Sequence, residues 1–276
     1  MFRLMCPPTY FEIAYSINPW MRLDNQVDSE LADRQWHHFV RVLRSLGDVV
    51  DCIAPVPGLP DMTFSGDAGF VYGRSFVPSN FRAAERAGEV EHYVRWFEQR
   101  QFNIVRMSDD IRFEGLGDVV FHECSAIVGY GIRSDERAIE ALRQLIPSLK
   151  ILADVRIRDD RYFHLAMALG FIDADTILYY PPAFDDASVR TLERVVPYPI
   201  AVGDEDANEF FACNNLVVGR HVLLDNCTES LKGTLAERGY TAVPCPMSEF
   251  KKSGGSLRCL VLSFIEDAAS SGSALS

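Results

Sequence analysis

Cys259 is the residue of this chain best set for nucleophilic chemistry. It closes the run Lys251-Lys252-Ser253-Gly254-Gly255-Ser256-Leu257-Arg258-Cys259, in which a glycine pair leads into an apolar strand and lets backbone approach a ligand. The glycines lack the spacing of a phosphate-binding loop. His164 stands among large apolar groups in Tyr162-Phe163-His164-Leu165-Ala166. Facing a thiol across a cavity, it has the chemistry of a general acid and base near neutral pH. In Phe113-Glu114-Gly115-Leu116-Gly117-Asp118 two carboxylates bracket two glycines just ahead of a buried strand, and Asp61 and Asp67 have the same character. Arg86 and Arg133 carry the planar fork that matches a carboxylate. Each residue has a plainer reading. A free cysteine is most often a small core hydrophobe, Asp-Gly is ordinary turn chemistry, and a solitary histidine or arginine is commonly a core or surface residue. His37 and His38 on a helix, His122 in a strand and His221 after a Gly-Arg turn offer less.

Carboxylates gathered with one thiol and one imidazole point to a flat cation rather than a metal. Zinc calls for several His or Cys ligands, whereas a guanidinium presents a rigid set of N–H groups that carboxylates accept. No metal and no organic cofactor is expected.

For these residues to meet, the elements must converge. First strands begin near residues 61, 118, 163, 211 and 257, mostly about 45 residues apart, and that period signals a circular or solenoid array. Each copy reads strand, strand, helix, strand. The copies contain Asp118–Phe121, Ala126–Gly129, a helix over Asp135–Leu145 and Lys150–Ala153. The next has Phe163–Phe171, Thr176–Tyr180, a helix over Asp186–Val195 and Pro199–Val202. A third has Phe211–Val218, His221–Leu224, a helix over Thr228–Arg238 and Thr241–Pro244. An earlier copy runs from Asp61 through Phe70-Val71-Tyr72 and a helix over Ala84–Arg100 to Asn103–Met107. The fifth is split: Leu257–Phe264 supplies one strand, and residues 2–55 supply a helix over Ser29–Leu46 and a strand over Val49–Ile53. The expected fold is an α/β propeller of five ββαβ modules in one domain over residues 1–264, with a disordered tail over 265–276. Equivalent strand ends then converge on one cavity, bringing Asp61, Asp67, Glu114, Asp118, His164, Asn214 and Cys259 together.

The chain has 276 residues, with 27 basic side chains against 39 acidic and a net charge of −12. That surface excludes DNA, RNA or an anionic membrane as the main partner. No apolar run reaches the roughly 20 residues of a membrane-spanning helix, and Met1–Pro8 has no signal-peptide features. Seven cysteines, namely Cys6, Cys52, Cys124, Cys213, Cys227, Cys245 and Cys259, include no C-x-x-C pair, so free thiols in a reducing compartment are expected. A cytoplasmic protein with a small-molecule partner fits these features, and a homodimer stays open.

The motifs together resemble the guanidine-modifying superfamily. They are Met5-Cys6-Pro7-Pro8-Thr9-Tyr10-Phe11 through Ile17-Asn18-Pro19-Trp20-Met21, Leu59-Pro60-Asp61, Phe113–Asp118, Phe163-His164-Leu165 and Gly254–Cys259. Over residues 2–264 the chain is similar to dimethylarginine dimethylaminohydrolases, whose five-bladed α/β propeller agrees with the repeat. The resemblance implies Cys259 as nucleophile, His164 as general acid and base, and Glu114 orienting the histidine or the guanidinium. It places Asp67 on the guanidinium and Asp61, Arg86 and Arg133 at the amino acid end, with Asn18, Asp118 and Ser253 completing the substrate-binding set. It also implies a covalent thiouronium on Cys259, hydrolysed to a ureido product.

Two departures bear on the substrate. Ala166 stands where arginine deiminases and amidinotransferases carry an aspartate, as dimethylarginine hydrolases also lack an acid there. Gly66-Asp67 stands where those hydrolases carry Glu-Asp, and nearer bacterial relatives often have Asn at the Asp67 position. A site with fewer acceptors and more room suits an N-substituted guanidine, because each buried donor left unpaired costs ~1–3 kcal/mol. A methylated arginine, cleaved to citrulline and alkylamine, is the expected substrate. Arginine deiminase or dihydrolase activity and amidino transfer are the alternatives within the enzyme class. A catalytically degenerate guanidino-compound binding protein is the alternative outside it.

Overall fold

Every repeat becomes a sheet of three strands, and all five sheets have the same connectivity. The computed structural model describes residues 1–264, so the tail expected over 265–276 lies outside the described residues. The strands are β1 (Phe2–Met5), β2 (Val49–Cys52), β3 (Gly69–Tyr72), β4 (Ser75–Pro78), β5 (Asn103–Ile104), β6 (Val119–His122), β7 (Ser125–Tyr130), β8 (Lys150–Arg156), β9 (Leu169–Phe171), β10 (Thr176–Tyr179), β11 (Tyr198–Ala201), β12 (Leu216–Val218), β13 (His221–Leu224), β14 (Thr241–Pro244) and β15 (Leu262–Phe264). In each sheet the first strand runs antiparallel to the second, and a helix crosses over to the third, which is parallel to the second. The split module closes the ring: β15 pairs with β1 through Phe2 and Phe264, and β1 pairs with β2 through Phe2 and Val49. The five-module α/β propeller expected from the period is the fold.

The crossover helices cover Ser29–Ser45, Val90–Glu98, Arg137–Leu145, Asp186–Val195 and Glu229–Glu237. The first buries Trp36, Phe39, Val40 and Leu43, the 3–4 spacing that puts one apolar stripe against a sheet. Its start is fixed by Asp28, which accepts from the Leu31 N–H, and Asp185 and Thr228 do the same for two others. Each such cap is worth ~1 kcal/mol.

The first strands differ from expectation. The segments Phe163–Phe171, Phe211–Val218 and Leu257–Phe264 are strands only over their last three residues. Before β9 lies a single helical turn, Leu165–Ala168, and matching turns at Ser65–Ala68 and Gly115–Asp118 precede β3 and β6. Asp118 therefore ends a turn rather than starting a strand. An apolar run buried on all sides has no period to separate a short turn from a strand. The helix expected over Ala84–Arg100 divides into a 3₁₀ segment, Ala84–Glu89, and the α-helix after it. Of Asn103–Met107 only the first two residues join the sheet. These turns lift polar side chains from the starts of the first strands towards the axis. Among the described residues no helix is long and apolar enough to cross a membrane.

Candidate active site

Cys259, His164, Asp61, Asp67, Arg86, Arg133, Asn18 and Ser253, from segments far apart in sequence, line one narrow cavity with room for little more than a water molecule. Ile17, Met21, Phe64, Phe163, Gly254 and Gly255 complete its wall. The convergence depends on two backbone approaches that only glycine permits. A Cβ at Gly66 would sit 2.8 Å from the Arg258 carbonyl and 3.1 Å from that of Cys259, whose oxygen accepts from the Gly66 N–H. A Cβ at Gly117 would meet the His164 ring at 2.9 Å. Gly66 therefore adds no room for substrate, contrary to expectation: the space of the missing side chain is filled by the backbone that carries Cys259.

His164 is held at one nitrogen and open at the other. Nε2 lies 2.7 Å from Glu114 Oε2, while Nδ1 is buried without a partner, 3.7 Å from Asp67 Oδ1. Burial alone would lower its pKa. The Asp67 charge, the Glu114 hydrogen bond and the Asp118 charge outweigh burial, and the imidazolium is favoured. Glu114 is fully buried. Its desolvation is outweighed by the His164 hydrogen bond and charge, with help from Arg133 and the Arg82 N–H, so its carboxyl is held at about 2. Glu114 is absent from the cavity wall and bonds the imidazole.

Cys259 is a buried thiol pushed up to about 12 by burial and by the Asp67 charge. Asn214, placed at the axis by the repeat, donates from Nδ2 to Cys259 Sγ at 3.2 Å and to the Ala166 carbonyl at 2.8 Å. Its Oδ1 accepts from the Arg258 N–H at 2.9 Å.

Arg86 and Asp118 lie otherwise than expected. Arg86 donates to both Glu89 oxygens, to Asp67 Oδ2 at 2.7 Å and to the Asp61 carbonyl, leaving a single N–H of five for any ligand. It braces Asp67 more than it could clamp a carboxylate. Asp118 is off the cavity wall: Oδ1 accepts from the Leu165 N–H and Oδ2 from Ser134 Oγ, tying the His164 turn to its neighbour. Burial raises its pKa to about 6. Arg133 is freer. It donates to the Ile17 carbonyl at 2.6 Å and stacks over Phe163 at 5.0 Å. Asp61 accepts from Tyr15 at Oδ2, and its buried Oδ1, like Asp67 Oδ1 and Ser253 Oγ, has no partner.

Segment Tyr15–Met21 roofs the cavity. Asn18 Nδ2 donates to the Ser253 carbonyl, Trp20 Nε1 to the Arg161 carbonyl and Tyr15 to Asp61. Tyr15 and Glu89 join the site through Asp61 and Arg86, and no motif in the sequence marks them. Both look like surface residues until the fold buries their partners. Among the described residues no group of three or more His, Cys, Asp or Glu is arranged to hold a metal.

A five-bladed α/β propeller with a cysteine, a carboxylate-bound histidine and free acid oxygens at its axis belongs to the guanidine-modifying class. The family model described as N,N dimethylarginine dimethylhydrolase, eukaryotic, matches residues 10–266, and the chain belongs to this family. It is accordingly a guanidine-modifying hydrolase acting on C–N bonds. It is 36% identical over 258 residues to the N(G),N(G)-dimethylarginine dimethylaminohydrolase of Mycobacterium tuberculosis, covering 94% of this chain and 84% of that one. It is 34% identical over 268 residues to the bifunctional arginine dihydrolase/ornithine cyclodeaminase ArgZ of Synechocystis, covering 95% of this chain but only 37% of that protein's length. The crystal structure of the N-terminal domain of an ArgZ variant covalently bound to a reaction intermediate superposes with a TM-score of 0.91 at 34% identity, covering 96% of this chain and 98% of that domain.

Proposed function

We infer that this chain hydrolyses an N-substituted guanidine, a methylated arginine, to citrulline and an alkylamine through a covalent adduct on Cys259. The observation that carries this reading is the narrow cavity lined by Cys259, the unpartnered His164 Nδ1 and the unpartnered Asp67 Oδ1. A guanidinium entering there donates to Asp67 Oδ1, and its charge offsets the burial that keeps the thiol protonated. As the guanidinium binds, the thiol releases its proton to solvent, and the thiolate attacks the guanidinium carbon, forming the C–S bond. The tetrahedral centre collapses as the C–N bond to the substituted nitrogen breaks, with His164 Nδ1 supplying the proton to the departing amine. The neutral imidazole then takes a proton from water attacking the thiouronium. The C–S bond breaks as the remaining hydroxyl proton passes to the departing thiolate, leaving the carbonyl of citrulline, the thiol and a protonated His164, while the released amine takes up a proton from solvent. Glu114 keeps the ring oriented and its charge stabilised throughout. Arg133 and Asp61 Oδ1 suit the carboxylate and α-amino group, and the roof over Ile17 and Asn18 limits water at the reacting carbon.

Acceptor count supports a substituted over a plain guanidine. Both Glu114 oxygens and one of Asp67 are occupied by protein donors, while the Phe64 and Phe163 rings give apolar wall. The ArgZ likeness favours a second reading, arginine dihydrolase activity. A panel of guanidino compounds with mass-spectrometric product identification separates them. Citrulline plus alkylamine with kcat/KM higher for methylated arginine supports the first; ammonia release with a strong preference for plain arginine replaces it with the second.

A further inference from the structure

The opposite end of the axis, where the first strands finish, holds a second cavity of roughly 330 Å³. Arg3, Arg258, His122 and Glu123 line it, with Phe121 and Phe171 among its apolar walls. The buried arginines among the described residues have carboxylate partners, and half-buried Arg258 differs from them. Arg3 Nε lies 2.7 Å from Asp48, Arg86 pairs with Asp67 and Glu89, and Arg133 lies 3.8 Å from Glu114. Arg258 does not. Of its five N–H groups only Nε has a partner among the described residues, the Asn215 carbonyl at 3.1 Å, and no carboxylate there pairs with it. Burial and the Arg3 charge hold the Arg258 guanidinium down at about 10. A partly dehydrated cation without a counter-ion among the described residues, facing this cavity in a chain of net charge −12, is a costly arrangement that an anion relieves.

We propose that this cavity binds a small organic oxyanion, a carboxylate or phosphate monoester on a flat apolar body, on the Nη groups of Arg258, and that its occupancy lowers the reactivity of Cys259. The two parallel N–H bonds of a guanidinium match either oxyanion, and the Phe121 and Phe171 rings face the attached body. The link to the thiol is short. The backbone N–H of Arg258 holds Asn214 Oδ1, and Asn214 Nδ2 holds Cys259 Sγ, so the residue that carries the guanidinium is anchored to the amide that contacts the thiol. Neutralising Arg258 removes a positive charge beside Cys259 and so disfavours its thiolate. The binding claim stands on this cavity alone; only the effect on turnover rests on the function proposed above.

Calorimetric titration of the Cys259→Ser protein with benzoate, phenyl phosphate and inorganic phosphate, with arginine present to fill the other cavity, tests it. Saturable binding of benzoate or phenyl phosphate is expected in the millimolar range, weakened by about tenfold or more in Arg258→Gln, since a charge-assisted bidentate bond is lost. Glu123→Gln removes a like charge from the rim and is expected to tighten binding by about two- to threefold, a surface-scale electrostatic effect. If Arg258→Gln fails to fold, the Glu123→Gln result decides, and unchanged affinity there overturns the site. Absence of saturation by either aromatic probe up to about 20 mM, where even weak specific affinity registers, or equal affinity in Arg258→Gln, also overturns it. In the wild-type enzyme, bound probe is expected to lower kcat with KM unchanged. Unchanged turnover at saturating probe refutes the coupling and leaves the binding result to be judged by itself.

Discussion

The two ends of the propeller axis are built from the same strands and are opposite in electrostatic character. At the starts of the first strands, tight turns push Asp67, His164 and Cys259 inward under a roof, and nearly every charge there has a partner except the oxygens and the nitrogen that face the cavity. At the strand ends, hairpins leave a wider space whose main charge, Arg258, lacks a counter-ion among the described residues. One scaffold thus offers an acid-lined pocket for a cation and a base-lined pocket for an anion, separated by Arg258-Cys259 and Asn214. What distinguishes them is the turn before each strand, which can lift a side chain to the axis where a hairpin cannot.

The contrast is broken most strongly at His164. Substitution by Asn removes the proton carrier and is expected to cost about 10²–10⁴ in kcat, the usual span for general acid–base catalysis. Anion titration at the far end should be unchanged, so steady-state kinetics and calorimetry on one variant separate the two ends. Asp67→Asn takes away the acceptor for the guanidinium and is expected to lower kcat/KM by about 10–100-fold, the worth of a charged hydrogen bond. Methylated arginine titrations on the inactive background then report the matching loss in affinity.

Glu114→Gln is expected to destabilise the fold by about 1–3 kcal/mol by weakening a buried charged hydrogen bond, read as a lowered Tm. The pH dependence has a definite sign. Glu114 is held at about 2 against an ordinary 4.5, so its contribution is complete above 4.5 and is lost as the pH falls towards 2. His164 is raised from 6.5, so its contribution is complete below 6.5 and is lost as the pH rises through its folded value. The Tm gap between wild type and Glu114→Gln should therefore be widest at mildly acid pH; a gap that grows at pH 3 contradicts the pairing. Gly66→Ala has the smallest expected effect of the series and is felt at both ends, because the methyl meets the backbone of Arg258 as well as that of Cys259. Forcing a methyl against the Arg258 and Cys259 carbonyls is expected to cost about 1–3 kcal/mol of stability, with kcat lowered because the strand carrying the thiol must shift.

Much of this architecture was readable from the chain. The 45-residue period gave five modules and the split fifth one, because each module must repeat the same strand and helix chemistry to close a ring. The convergence of Cys259, His164, Asp67 and Asn214 followed from that ring. Contacts made sideways between modules were not readable. Nothing near Arg86 in sequence says that Glu89 and Asp67 consume its donors, nor that Asp118 is spent on Ser134 and the Leu165 N–H. The turns ahead of β6 and β9 were hidden for a different reason: in Phe163–Phe171 almost every residue is buried, so hydrophobicity carries no period.

Rapid acid quench of the enzyme during turnover of a methylated arginine, followed by intact-mass and peptide mapping, reads the central chemistry directly. The peptide containing Cys259 is expected to carry the mass of a substrate-derived amidine that vanishes when turnover ends, and Cys259→Ser is expected to carry none and to be inactive. Turnover without any adduct on Cys259, or product formation by Cys259→Ser, contradicts it.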